Sequence, residues 1–310
     1  MEKYQDISYS RNYGYWNEAE QQLICNSKVS IAGVGGDGFQ LGLNLIRMGV
    51  QNLNVADPEV FEKENSNRVP GAIVKNYGRN KAVAFKEMAE EINPEAKIGV
   101  YTDGVTKENL DDFLQGSDLL IDESELRYAH IGVMLARAAR RLIIPNMTVM
   151  NIGFAGVATS FDPEAPKNMH STLESILGIS ENVPLDEIKD MKVNLDGMLP
   201  YIPGYGDIDV LKAVNDGAPF PSIVQGVNIA AGLGSTQAFL HLVGSAKNNR
   251  IKPTWASRFL YNDSYTNRAG TIEIPKIAHY VGAIRALGRS VLGVNPHASY
   301  SDLDRKNRIK

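Results

Sequence analysis

The sequence is poor in cysteine, in long apolar runs and in excess charge of either sign. It contains one cysteine, Cys25, which excludes an internal disulfide and any Cys-x-x-Cys pair. The five histidines show no metal-binding spacing, so we expect no structural zinc. No stretch approaches the roughly 18 apolar residues of a membrane span, and the first residues lack an apolar core. We therefore expect a cytoplasmic protein without a signal peptide.

The balance of charge also limits the partners that the chain can have. The formal net charge is −4, which offers no basic surface of the kind that nucleic acids bind. Only residues 305–310 are locally cationic, and such tails are usually solvated ends. Neither nucleic acid nor a membrane is expected as a partner.

Cys25 is interpreted as a small buried hydrophobe, and His170 is a weak candidate for a general base.

A glycine-rich turn is the most informative stretch that is present. Residues 29–38 read Val-Ser-Ile-Ala-Gly-Val-Gly-Gly-Asp-Gly, an apolar β-branched run that ends in four glycines. This pattern predicts a strand that leads into a phosphate-binding turn. Gly33 permits the turn, Gly35 and Gly36 leave room for a phosphate, and Gly38 lets the next helix pack closely. The amino terminus of that helix, predicted at about 39–48, would face the anion.

The residues that follow distinguish between two kinds of nucleotide. The glycines also fit a dinucleotide fingerprint, and Asp57, at the end of the second predicted strand, suits a ribose hydroxyl in either case. Asn65, Arg68 and Lys81 come next. A triphosphate carries extra charge that needs cations, whereas the helix terminus largely satisfies a pyrophosphate. The two cations therefore favour a nucleoside triphosphate.

Together these residues resemble the ATP site of the HesA/MoeB/ThiF family, the ubiquitin-activating-enzyme-like adenylyltransferases. The resemblance covers about residues 8–275 and implies ATP as the nucleotide. The implied nucleotide-binding residues are Gly33, Gly35, Gly36, Asp37, Gly38, Asp57, Asn65, Arg68 and Lys81. The segment Tyr9-Ser10-Arg11-Asn12 resembles the family's Tyr-Ser-Arg-Gln. In the family this Arg completes the ATP site of the neighbouring subunit, so the resemblance implies a homodimer in which Arg11, Arg68 and Lys81 act in catalysis.

Two departures from the family pattern affect the implied chemistry. The cysteines of the zinc site and of the thioester are absent. The family's metal-binding Asp-x-x-Asp appears as Asp122-Glu123-Ser124-Glu125. Glutamate can also bind Mg²⁺. Either Glu125 binds the ion, which we favour, or Asp122 binds it instead.

The order of elements predicts an α/β fold. We expect a Rossmann-like mixed sheet flanked by helices, with a parallel amino-terminal half and an antiparallel carboxyl-terminal half. One adenylation domain would comprise a nucleotide-binding half (8–160), a crossover over the substrate groove (161–222), a closing helix and strand (223–275) and a helical extension (276–310). The predicted helices are 11–28, 39–48, 80–92, 128–141 and 223–242, with a helical stripe over 277–291. The predicted strands are 29–32, 53–56, 98–101, 119–122, 142–144, an antiparallel pair within 147–160, and 258–263.

The function that these features favour is adenylyl transfer from ATP without an enzyme thioester. The substrate would be a carboxylate, or an amide or carbamoyl oxygen, of a peptide, a protein carboxyl terminus or a small molecule. A tRNA-modifying dehydratase of the threonylcarbamoyl-adenosine type uses the same chemistry, although the acidic balance counts against it. A non-catalytic partner subunit would not need the ATP residues. An NAD-dependent oxidoreductase would leave Asn65, Arg68 and Lys81 unexplained.

Overall fold

The computed structural model describes residues 7–125, 128–166, 171–191, 201, 203, 205, 220–244 and 250–273. Its helices are α1 (Glu18–Asn26), α2 (Gly36–Met48), α3 (Lys81–Ile92), α4 (Leu110–Leu114), α5 (Ala129–Leu142), α6 (Leu173–Leu177), α7 (Leu185–Asp190) and α8 (Val224–Val243). Its strands are β1 (Lys28–Ala32), β2 (Asn52–Ala56), β3 (Lys97–Tyr101), β4 (Leu119–Asp122), β5 (Asn146–Ile152), β6 (Ala155–Phe161), β7 (Arg258–Asp263) and β8 (Arg268–Glu273).

The strands form one mixed sheet in the order β3-β2-β1-β4-β5-β6-β7-β8. Strands β3, β2, β1, β4 and β5 run parallel to their neighbours, and β6, β7 and β8 continue the sheet antiparallel. The predicted fold class is therefore confirmed. Strands β1 and β4 are buried along almost their whole length because helices cover both faces of this half of the sheet.

Aromatic and branched side chains fill the space between the sheet and the helices. On one face, Phe39 of α2 meets Phe85 of α3 edge to face at 5.1 Å between ring centroids. Residues of α8 complete that cluster. On the other face, α4 and α5 pack over β1, β2 and β4, and α6 packs with α5 against β5 and β6. Within the described part of the chain, no helix is long and apolar enough to cross a membrane.

The strand register places three loops side by side at the carboxyl edge of the parallel strands. Ala32, the last residue of β1, pairs with Ala56 of β2 and with Asp122 of β4. The glycine turn, the loop after β2 and the Asp122-Glu123-Ser124-Glu125 segment therefore begin next to one another. This edge is where ligands bind in open α/β sheets.

Several predicted elements differ from those observed. The single helix predicted over 11–28 is a short 3₁₀ turn, Ile7–Asn12, followed by α1, because Asn17 caps α1 in a capping box with Glu20. The strand predicted at 142–144 is wrong, since Leu142 ends α5 and β5 begins at Asn146. Strand β8 was not predicted. The helical stripe over 277–291 lies outside the described residues.

Candidate functional site

The glycine turn has the expected shape at Gly33, Gly35 and Gly38, whereas a Cβ on Gly36 would lie 3.1 Å from Val227 Cγ2 of α8, so the expected open space is absent there. Gly33 adopts φ +95°, and a Cβ there would lie 2.3 Å from the Glu123 carbonyl oxygen. A Cβ on Gly38 would lie 2.0 Å from the Gly33 carbonyl oxygen, so the helix packs directly on the turn. At Gly35 a Cβ would meet no atom within 4 Å, so the turn is open on that side. Helix α2 begins at Gly36 and points its amino terminus into this space.

Asp57 holds the turn from the next strand. One of its carboxylate oxygens accepts a hydrogen bond from the Val34 N–H at 2.9 Å, and the other accepts from the Glu59 N–H at 2.8 Å. Burial raises the pKa of the Asp57 carboxyl, while the Lys81 charge and these two hydrogen bonds oppose the rise. Asp57 thus supports the turn, and its remaining lone pairs can accept from a ribose hydroxyl.

Lys81 reaches the same edge as the first residue of α3. The Asn80 side chain caps this helix and donates to the Asp57 carbonyl oxygen at 2.8 Å, which attaches the helix start to the end of β2. The Lys81 side chain is only 7% exposed, and its Nζ lies 2.6 Å from Glu59 Oε2. A buried ammonium with one carboxylate partner is a fixed positive charge beside the turn.

Asn65 and Arg68 lie on the loop that follows β2. Asn65 is buried, and its Oδ1 accepts from the Glu62 N–H at 3.0 Å, which leaves the side-chain NH₂ to donate elsewhere. The Arg68 stem lies across the turn, 3.8 Å from the position of a Cβ on Gly36. Its guanidinium donates to Asn67 Oδ1 at 2.8 Å. The structure therefore places Asp57, Arg68 and Lys81 beside the turn, with Asn65 on the loop that carries Arg68.

Asp37 points away from the open side of the turn. Its Oδ2 accepts from both the backbone N–H and the side-chain NH₂ of Asn151 in β5, at 2.9 and 2.8 Å. Burial raises the pKa of the Asp37 carboxyl to about 7, although the Asn151 hydrogen bonds and the Arg68 charge oppose the rise. Only the backbone of Asp37 is therefore left to contact a ligand bound in the turn.

The segment after β4 carries the candidate metal ligands. Asp122 is 8% exposed, and its Oδ1 accepts from the Ser124 hydroxyl at 2.6 Å. Burial raises the pKa of the Asp122 carboxyl, and its hydrogen bonds with Ser124 oppose this. The other oxygen, Oδ2, lies 3.2 Å from the position of a Cβ on Gly132, where a small cavity of about 30 Å³ begins. Glu125 is exposed.

The Asp122–Glu125 segment provides only some of the ligands that a Mg²⁺ ion needs. Mg²⁺ in nucleotide sites usually takes one or two carboxylates, with water and phosphate oxygens as its other ligands. The exposed Glu125 carboxylate suits that arrangement better than the enclosed Asp122. Among the described residues, no group of three or more histidine, cysteine, aspartate or glutamate side chains is arranged to hold a metal ion.

The crossover segment is attached to the sheet at two places. In α6, Glu174 forms an ion pair with Arg137 of α5, with 3.0 Å between Oε1 and Nε. Further along, Tyr201 and Tyr205 both donate to the buried Asp263 of β7. Tyr205 also accepts from the Phe154 N–H at 2.9 Å, in the turn between β5 and β6. The tyrosine contacts place Tyr201 and Tyr205 at the carboxyl edge, whereas Glu174 holds α6 against α5 on the face of the sheet.

The remaining candidates lie away from the turn. A Cβ on Gly49, beyond the end of α2, would lie 3.3 Å from the ring of Tyr9. The segment with Arg11 thus packs at the far end of α2. Cys25 lies in α1 at the same end of α2 and is half-buried rather than buried as expected, because α1 leaves one side of it open. His170 lies outside the described residues.

A wider groove, of about 460 Å³, lies at the opposite edge of the sheet. Lys28, Asn52 and Lys97, the first residues of β1, β2 and β3, line it. None of the predicted site residues borders this groove. The carboxyl edge therefore remains the candidate site.

Sequence reasoning missed four polar residues that shape the site, namely Glu59, Asn80, Glu123 and Asn151. Asn80 could have been found, since it precedes an amphipathic helix and is a favoured capping residue. Asn151 is 114 positions from Asp37, so no local pattern reveals the contact between them.

Comparisons with known proteins identify a matching family and several relatives. The profile of the ThiF family matches residues 9–280. The tRNA threonylcarbamoyladenosine dehydratase of Escherichia coli is 25% identical over 254 residues, which are 78% of this chain and 92% of that protein. The adenylyltransferase and sulfurtransferase MOCS3 of Dictyostelium discoideum is 30% identical over 105 residues. That match covers 34% of this chain and only 25% of MOCS3.

Solved structures share the fold. The crystal structure of E. coli MccB with ATP matches with a TM-score of 0.63 and 16% identity, covering 88% of this chain and 73% of MccB. The structure of PaaA matches with a TM-score of 0.58 and 18% identity, covering 83% of this chain and 66% of PaaA. Because the ThiF profile spans most of the chain, the resemblance seen in the motifs is confirmed: the chain belongs to the ThiF family of ubiquitin-activating-enzyme-like proteins.

Proposed function

We propose that the protein is an ATP-dependent adenylyltransferase that activates a carboxylate, or an amide or carbamoyl oxygen, without an enzyme thioester. The observation that carries the proposal is the convergence of the open glycine turn with Asp57, Arg68 and Lys81 at one edge of the sheet. The turn and the amino terminus of α2 would hold the triphosphate, and Asp57 would hold the ribose. Asn65, Arg68 and Lys81 would contact phosphates.

The chemistry would depend on charge rather than on an enzyme nucleophile. A substrate oxygen attacks the α-phosphorus, a new oxygen–phosphorus bond forms, and the bond to pyrophosphate breaks. Transfers of this kind are catalysed mainly by positioning and electrostatics. Arg68 offers a planar fork of donors, and Lys81 a point charge held by Glu59. Mg²⁺, bound through Glu125, would add charge at the phosphates.

The second substrate would enter under the crossover segment. Tyr201 and Tyr205 attach the segment at the edge where the glycine turn lies. MccB, which shares the fold, has been solved with ATP and with MccA. A peptide, a protein carboxyl terminus or a small-molecule carboxylate is the substrate class that we propose.

Dehydration of a modified tRNA base is the second candidate function. The match to the E. coli dehydratase favours it, because the alignment covers nearly the whole of that protein. Activation of a carbamoyl oxygen by ATP is a reaction of the same kind. ATP consumption that depends on added tRNA carrying threonylcarbamoyl-adenosine would support this candidate over the peptide substrate.

Arg11 would complete the site of a second copy. Helix α2 has 13 residues, and a helix of that length spans about 20 Å. Since the segment with Arg11 packs at the far end of α2, its side chain cannot reach the turn of its own chain. Beside this segment, Tyr15 is 82% exposed and Ile251 75% exposed. These apolar side chains suit a surface that a second copy covers.

The first test is nucleotide choice. ATP with Mg²⁺ should raise the melting temperature, and NAD should not. Adenylated species formed from a cell extract can then be identified by mass spectrometry. Stabilisation by NAD but not by ATP would contradict the proposal.

Substitutions should separate binding from turnover. Arg68→Ala and Lys81→Ala should each lower turnover on the order of a hundredfold, since each removes a preorganised charge. Asp57→Ala should mainly weaken ATP binding, because a ribose contact is the same in the ground and transition states. Lys86→Ala is the matched control, a partly exposed lysine on the same helix as Lys81 that pairs with Glu90, and should change neither. Loss of turnover in Asp57→Ala at unchanged ATP affinity would contradict the assignment.

A further inference from the structure

Strand β5 extends beyond the end of its neighbour β4. The two strands pair only at Leu120 with Asn146 and at Ile121 with Met147. On its other side, β5 pairs with β6 along its whole length. Alternate residues of a strand direct their N–H groups to the same side. The N–H groups of Val149 and Asn151 therefore point to the side of β5 on which β4 lies, but beyond the end of β4.

Two carboxylates occupy that place. Glu123 Oε1 accepts from the Val149 N–H at 2.8 Å. Asp37 Oδ2 accepts from the Asn151 N–H at 2.9 Å, and from the Asn151 side-chain NH₂. A carboxyl oxygen can accept such a hydrogen bond whether or not the group is ionised. The two side chains thus continue the hydrogen bonding of the sheet where the β4 backbone stops.

The two carboxylates come from the two loops that the proposed reaction needs. Asp37 is the second residue of α2, within the glycine turn. Glu123 lies between the candidate metal ligands Asp122 and Glu125. The loops also touch, because a Cβ on Gly38 would lie 3.3 Å from the Glu123 Cβ.

We propose that Asp37 and Glu123 are positioning residues, through which β5 sets the distance between the phosphate-binding turn and the metal-binding loop. Asp37 positions the turn, and Glu123 positions the Asp122–Glu125 segment. Neither side chain contacts a substrate. The inference rests on the proposed function, and it requires the two residues to have separable effects. Loss of the Glu123 bond should affect Mg²⁺, whereas loss of the Asp37 bond should affect ATP itself.

The test measures ATP affinity by calorimetry in excess Mg²⁺ and in EDTA. Glu123→Ala should leave the affinity in EDTA within about twofold of wild type and reduce the gain from Mg²⁺ roughly tenfold, as expected for the loss of an outer-shell partner of a metal ligand. Asp37→Ala should weaken ATP binding roughly tenfold in both conditions. Glu123→Gln and Asp37→Asn keep an oxygen acceptor, so each should restore most of the lost affinity.

Asp118→Ala is the matched control, because Asp118 Oδ2 also accepts from a backbone N–H, that of Lys28, at 2.8 Å. That bond lies at the opposite edge of the sheet, so its loss should change neither affinity. If Glu123→Ala does not fold, Glu123→Met removes the acceptor while keeping the volume. An unchanged gain from Mg²⁺ in a folded Glu123 variant would overturn the inference alone. Failure of the wild-type protein to bind ATP would instead overturn the proposed function, and the inference with it.

Discussion

At the scale of single residues, His241 is a largely enclosed histidine whose pKa makes the stability of the fold depend on pH. Its Nε2 lies 2.8 Å from the Ser160 hydroxyl oxygen, and its ring meets Trp255 edge to face at 4.9 Å. Burial lowers the pKa of His241 from 6.5 to about 4, and the Asp162 charge only partly opposes this. In the unfolded chain the histidine takes up a proton at a higher pH than in the folded protein. The unfolding free energy that depends on the neutral form of His241 is therefore fully present above pH 6.5 and is lost as the pH falls through about 4.

His241→Gln should remove this pH dependence. Between pH 6.5 and pH 4, where the folded and unfolded pKa values lie, the wild-type protein should lose roughly 1–3 kcal/mol of unfolding free energy through this residue. The glutamine variant should not show that part of the loss. Urea unfolding of both proteins at several pH values measures the difference. His130, which is partly exposed, provides the control variant His130→Gln with a smaller effect. Parallel pH profiles for wild type and His241→Gln would contradict the burial argument.

At the scale of secondary-structure elements, the sequence predicted β1 to β4 to within one residue at each end, because β1, β2 and β4 carry apolar residues up to Gly33, Asp57 and Asp122. Edge strand β8 escaped prediction because none of its residues is buried, so it lacks an apolar alternation. The residues around the glycine turn were predicted from their spacing. The orientation of Asp37 toward Asn151 was not, since it depends on a contact between segments far apart in the chain.

The boundary between α5 and β5 shows why one prediction was wrong. Leu142, Ile143 and Ile144 are branched apolar residues and favour a strand. The structure instead ends α5 at Leu142 and places Ile143 in the left-handed region, with φ 57°. The Ile144 N–H donates to the Ala139 carbonyl oxygen at 2.8 Å, which closes the last turn of the helix. Helix termination thus outweighed strand propensity.

Ile143→Gly should stabilise the protein. A β-branched residue is strained in the left-handed region, which costs about 1–2 kcal/mol. Because Ile143 is 63% exposed, its replacement sacrifices little apolar burial. We expect a gain of about 1 kcal/mol, measured by urea unfolding. Asn267, with φ 55°, is the matched control. Asparagine tolerates this conformation, so Asn267→Gly should change stability far less. A destabilised Ile143→Gly variant would show that the side chain makes a needed contact.

At the scale of the whole molecule, we propose that the site is divided between two chains because of the position of Arg11. The far end of α2, where its segment packs, and the glycine turn lie about 20 Å apart along the helix. An isologous dimer with two-fold symmetry would bring each Arg11 to the partner's turn and form two equivalent sites. The sequence alone suggested this arrangement only through the resemblance of residues 9–12. The fold adds an observation that supports it, since Tyr9 of the same segment packs at the end of α2 opposite the glycine turn.

Mixing two inactive variants tests this division. Arg11→Ala and Arg68→Ala proteins should each turn over poorly, since every site in either homodimer lacks one cation. After subunit exchange, a mixed dimer has one site with both substitutions and one site with neither. Random exchange of equal amounts should therefore restore roughly a quarter of wild-type activity, by symmetry counting. A mass tag on one variant verifies the exchange. Lys86→Ala mixed with Arg68→Ala is the control, and it gives the activity expected when one of the two proteins has all of its site residues. If exchange is complete and activity stays at the level of the separate variants, Arg11 acts within its own chain or outside the site.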